Sequence, residues 1–191
     1  MSKNTASALL SITLLATMGV ACGGSNSSTP DAPAGDTLPK CASGSNAFDT
    51  YGGSAFLTVN TKIINNTLAE FGSGGSGAAN LGSAFEHLGD AAQGSAYADN
   101  ATTFTGKLAA FLVFAYGGPE TTTVGGVSYS GNQDMVAAHT AMHITDAQLT
   151  YFITNDVVPA LTASGVTSAD VSACFAPVIT SASFKASIVG H

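Results

Sequence analysis

Histidine is the commonest metal-ligating side chain and the one whose charge changes near neutral pH. The chain has four: His87, His139, His143 and His191. Taken one at a time, a histidine is more often a polar surface residue than a ligand; Met135 stands four residues before His139, across Val136-Ala137-Ala138. On a helix that spacing puts the thioether and the imidazole on one face. An imidazole so placed offers one neutral nitrogen to a metal, provided its other nitrogen is fixed by a hydrogen bond. Other site chemistries lack their residues. Neither His139 nor His143 belongs to a His-Glu-x-x-His set, and no cysteine pair has zinc spacing. The glycines from Gly72 to Gly77 are not followed by Gly-Lys-Ser/Thr, and no serine sits in a Gly-x-Ser-x-Gly elbow.

Three cysteines, Cys22, Cys41 and Cys174, carry the remaining chemistry. Lys3 followed by the apolar run from Ala8 to Met18 is too short for a comfortable membrane span and fits a secretory signal. Gly19-Val20-Ala21-Cys22 resembles a bacterial lipobox, which implies cleavage of residues 1–21, lipidation of Cys22 and attachment to a membrane facing the periplasm or cell surface. The other reading of the same residues is an ordinary signal peptide with an incidental cysteine. Export leaves Cys41 and Cys174 as an even pair in an oxidising compartment. They form either a bridge from the start of the domain to its last helix or two separate thiols, with Cys174 buried beside Phe175.

The elements that must position these groups follow from patterning. The chain is 45% hydrophobic and 9% charged, with a formal net charge of −7, no arginine and five lysines. Such a surface repels a phosphate backbone, which argues against nucleic acid as a partner. Residues 22–46, rich in Gly, Ser, Pro and Asp, read as a disordered tether, and 47–191 as one folded domain. Phe56, Leu57, Ile63, Ile64 and Leu68 recur at helical spacing, as do Phe104, Leu108, Phe111, Leu112 and Ala115 up to the stop at Gly117-Gly118-Pro119. Leu149, Ile153, Val157 and Leu161 make a third stripe. Thr145 and Gln148 open it at capping-box spacing, Pro159 interrupts it and Gly165 closes it. A fourth stripe, Val171, Phe175, Val178 and Ile179, begins at Thr167 or Ser168. Residues 70–100 are Gly/Ser/Ala-rich around a weak helical pattern at Leu81, Phe85 and Leu88. The stretch Thr123–Tyr129 alternates around Gly125-Gly126 as a small hairpin would.

The order of these pieces resembles the group 1 truncated haemoglobins. The marks are Tyr51-Gly52-Gly53, the Phe-rich helix ending in Gly117-Gly118, Tyr129-Ser130-Gly131, Met135 four residues before His139, and the late Gly165-Val166. The resemblance spans roughly 50–180 and implies an all-α, truncated globin-like helical sandwich with a Gly/Ser-rich insertion before the distal helix. It further implies haem b as cofactor and a diatomic gas, oxygen or nitric oxide, as ligand. His139 matches the proximal iron ligand and Met135 lines the haem from the same face. Phe104, Leu108, Phe111 and Leu112 fall on the distal wall, and Lys107 falls where a haem propionate is met. The chain departs from the family where a Phe-Tyr pair usually supplies a distal hydroxyl: here Ile63-Ile64 or Ile64-Asn65 stand, leaving Asn65 or Asn66 as substitute donors. No redox partner is identified. A reading of another class is a haem-free globin-fold lipoprotein serving as a surface or interaction module.

Overall fold

A computed structural model describes residues 38–73, 81, 101–140 and 142–191. The expected signal segment, Cys22, His87 and the weak pattern at Phe85 and Leu88 lie outside the described residues. What is described is mostly helical, with one two-stranded sheet, and none of its helices is long and apolar enough to cross a membrane.

The first helix, α1 (Ala47–Ser73), bends at Gly52, whose φ of 77° and ψ of 160° lie outside the helical region and suit only glycine. Beyond the bend, Phe56, Val59 and Ile63 are buried at three- and four-residue steps and pack against α2 (Ala101–Ala115). That helix is apolar on most of its circumference: Ala109 through Val113 are all buried. β1 (Thr121–Val124) and β2 (Val127–Ser130) pair antiparallel through Gly125-Gly126, whose φ values of 59° and 83° are those of a tight hairpin turn. The hairpin lies against α2, and the short α3 (Met135–His139) follows it.

α4 (Asp146–Phe152) starts at the Thr145–Gln148 capping box and runs through a π-helical turn, Ile153–Val157, into α5 (Val158–Ala163). The proline expected to disturb this helix explains the turn. Pro159 has no N–H to donate and its ring crowds the preceding carbonyls. Widening the helix so that Val158 N–H reaches Ile153 O absorbs both defects. The same device recurs downstream. α6 (Ser168–Asp170), capped by Thr167, passes through a second π turn, Val171–Phe175, into α7 (Ala176–Ile179), where Pro177 sits. α8 (Ala182–Ala186) ends the helical order.

The core is a cluster of aromatic rings between α1, α2 and the second π turn. Phe175 meets Tyr116 at 5.0 Å, Tyr51 at 5.7 Å and Phe56 at 5.9 Å between ring centroids. The Tyr116 hydroxyl, fully inside, donates to the Phe175 carbonyl at 3.0 Å. Burial pushes its pKa well above the usual tyrosine value. Composition assigns residues 38–46 to the tether, but these residues are held to the domain. Leu38 and Cys41 are both 4% exposed, and Cys41 is bonded to Cys174. Local composition cannot register an anchor that comes from 133 residues away.

Candidate functional site

α3 is short, and its own residues account for its geometry. Asp134 caps it, accepting from Ala137 N–H at 2.9 Å, and Met135 turns inward at 8% exposure. His139 closes the helix half-buried, with Nδ1 2.7 Å from the Met135 carbonyl oxygen. A carbonyl only accepts, so Nδ1 carries the proton and Nε2 carries the lone pair. Nε2 has no hydrogen-bond partner among the described residues. Burial lowers the His139 pKa below 6.5. The Met135 carbonyl opposes this in part, and nearby His191 adds to the lowering. The ring is therefore neutral at pH 7, with one nitrogen free to bind a metal.

Several of the other expected residues share the buried core cluster with Met135. Phe111 (4% exposed), Leu112 (7%) and Met135 belong to one buried apolar cluster with Phe184 and Ile188; Leu108 and Ile144 pack on its margin. Phe104 is half-buried and Lys107 exposed. The Phe111 ring stacks on Phe184 at 6.0 Å and 28°, so that stretch of the wall is already closed by protein. Beside α3 lies an open cavity of about 410 Å³, lined by Lys107, Tyr129, Ser130, Gln133, Asp134 and Ala138 among others. Lys107 thus faces space next to His139's helix, whereas His139, Met135, Phe111 and Leu112 do not line that cavity. The other two described histidines are occupied with the C-terminus. His143, at φ 52°, donates its backbone N–H to His191 O at 2.6 Å, and His191 Nε2 bonds Ala186 O at 2.8 Å.

On the opposite side, Ile63 is buried and Ile64 half-buried. Of the two substitute donors, Asn65 is exposed to solvent, and Asn66 Nδ2 donates to the Asp156 backbone carbonyl at 3.0 Å.

Two polar centres went unread in the sequence. Asp170 is buried and accepts from Ala42 N–H at 2.7 Å and from the Tyr51 hydroxyl at 2.6 Å. It lies beside the Cys41–Cys174 bridge, and bonded sulfurs offer no thiolate, so this trio is not a metal centre. Asp156 sits at 0% exposure in the first π turn, near Glu70. A lone acidic residue in a Thr/Asn-rich stretch carries no sequence signal that it will be buried.

No family model matches the chain, and no curated protein matches it.

Proposed function

We propose that this protein is a haem-binding lipoprotein of the truncated-haemoglobin type, binding a diatomic gas, with His139 as the proximal iron ligand. The observation that carries the reading is the His139 ring itself. It is neutral and half-buried, its Nδ1 is committed to a backbone carbonyl one turn earlier, and its Nε2 is left open. That is the arrangement by which proteins orient an imidazole for iron. Met135, Phe104, Leu108, Phe111 and Leu112 would form the apolar walls, and Lys107 would meet a propionate at the mouth of the adjoining cavity. The helix order, with the bend at Gly52 and the short helix carrying the histidine, is compatible with a truncated globin sandwich. Bound haem would supply an iron with one axial position open to a small gas. Lipidation at Cys22 and a periplasmic or surface location rest on the Ala21-Cys22 signal pattern.

The second reading, a haem-free interaction module on the same fold, has one observation in its favour. Phe111 and Phe184 already fill part of the wall, and the open cavity does not reach His139. One experiment separates the two. The full chain, produced with haem supplied, is expected to show a Soret band that His139→Ala abolishes or shifts. A well-folded protein that stays colourless would establish the haem-free reading.

A further inference from the structure

The disulfide has a third neighbour that the haem reading does not use. Cys41 precedes α1, Asp170 ends α6, and Cys174 follows four residues later in the second π turn. The two Sγ atoms and a carboxylate oxygen of Asp170 all lie within 4.8 Å of one another. All three residues are buried, at 4%, 6% and 1% exposure for Cys41, Asp170 and Cys174. The carboxylate is oriented from outside the trio: Ala42 N–H donates to Oδ1 at 2.7 Å and the Tyr51 hydroxyl to Oδ2 at 2.6 Å. Each of these oxygens keeps a second lone pair beyond the bond it accepts.

While the bridge stands, neither sulfur is a thiolate and the trio takes no metal. Reduction changes the donor set. We propose that the reduced chain binds Zn²⁺ through the Cys41 and Cys174 thiolates and the Asp170 carboxylate, so that the disulfide and the ion are alternative clasps for one seam. The step needs a dithiol reductant. It gives two electrons and two protons to the Cys41–Cys174 bond, which breaks, and it leaves as its own disulfide. Both cysteines are then thiols, and Zn²⁺ releases their two protons to solvent as it binds.

The donor set selects the ion. Calcium and magnesium take oxygen ligands, whereas two thiolates beside one carboxylate suit zinc. The dimensions agree as well. Zn–S bonds of about 2.3 Å and Zn–O bonds of about 2.0–2.2 Å put the ligands of a tetrahedral ion about 3.6–3.8 Å apart. Those separations fall within the 4.8 Å that the trio spans. Three protein ligands leave the fourth position to water. Ala42 N–H and the Tyr51 hydroxyl then serve as the outer partners that fix a ligating carboxylate.

The test compares the full chain in its oxidised and reduced forms, stripped of metal and freed of reductant. The oxidised chain carries the same four histidines and the same Cys22, so it controls for every other ligand. With Co²⁺ as the spectroscopic probe, the reduced chain is expected to show thiolate-to-cobalt charge-transfer absorption. The oxidised chain and the reduced double variant Cys41→Ser with Cys174→Ser should lack it. Identical spectra for the two forms of the wild type overturn the proposal. Asp170→Asn should weaken Zn²⁺ binding to the reduced chain by about tenfold or more, and unchanged affinity shows that the carboxylate is no ligand. If a reduced chain does not fold in the absence of metal, folding itself becomes the readout. Added Zn²⁺ should then restore the helical circular dichroism of the wild type, and a reduced wild-type chain that zinc leaves unfolded refutes the site. None of these measurements involves haem.

Discussion

Asp170 shows how much one carboxylate can organise. It fastens the backbone at Ala42 and the hydroxyl of Tyr51, next to the disulfide, to the start of the last helical segment. These donors, Ala42 N–H first and the Tyr51 hydroxyl next, hold its pKa below the ordinary 3.8 against the opposing effect of burial. A depressed folded value means stability that is present above the unfolded pKa and is lost as pH falls through the folded one. Asp170→Asn should therefore lower Tm at neutral pH, and the gap to the wild type should close as the solution is acidified below the unfolded value. Thermal scans across that range check it; a gap that persists in acid would mean the carboxylate charge is not what matters. At this scale the sequence was legible only where residue types come in sets. The Thr145–Gln148 capping box and the glycine at 165 mark real features. Asp156 and Asp170 do not announce themselves, because their burial depends on what the rest of the chain packs over them.

The helices read well from apolar periodicity, since their buried stripes are long enough to outweigh local noise: Phe56, Val59 and Ile63, then Phe111 to Val113 with Ala115, then Val171, Phe175, Val178 and Ile179 are inside, although Leu68 at the end of the first stripe is exposed. The π turns do not read as such. A proline signals a disturbance, but whether the helix kinks, stops or widens is settled by the packing on either side. The hairpin is the element whose placement the sequence least foretells. Its two strands are visible around Gly125-Gly126, yet its seat on α2 depends on small residues there. A Cβ at Gly106 would fall inside the Tyr129 ring, and one at Gly131 would strike the Phe114 side chain and Ala110 O. Gly106 lies in mid-helix, where alanine ordinarily stabilises by up to about 1 kcal/mol. Here the sign should reverse. Gly106→Ala is expected to destabilise by about 1–3 kcal/mol through overpacking, and Tyr129→Ala in the same chain should recover most of that loss. Urea unfolding of the single and double variants measures both, and a stabilising Gly106→Ala would show that the hairpin yields easily.

Among the described residues, one seam is joined by both covalent and hydrogen bonds between distant parts of the chain. The bridge Cys41–Cys174, the Asp170 hydrogen bonds and the Tyr116 hydroxyl on the Phe175 carbonyl all join the beginning of the domain or the end of α2 to the second π turn. The exposed ion pair Lys185–Asp146 at 2.6 Å adds little by comparison, because both side chains are about half exposed to water. The disulfide spans 133 residues, so it removes more freedom from the unfolded chain than any short crosslink could. The chain-entropy estimate for a loop of that length is about 5 kcal/mol, and measured removals in other proteins run about 2–5 kcal/mol. Reduction, or the paired change Cys41→Ala with Cys174→Ala, is therefore expected to lower the denaturant midpoint by an amount corresponding to about 2–5 kcal/mol. The loss should appear first as release of residues 38–46, whose Leu38 and Cys41 are buried only while the bridge and the Asp170 bond to Ala42 hold. Amide exchange in that segment, compared before and after reduction, follows the release directly. Should exchange there stay slow and the midpoint stay put, the seam is held by the aromatic cluster around Phe175 and not by the crosslink.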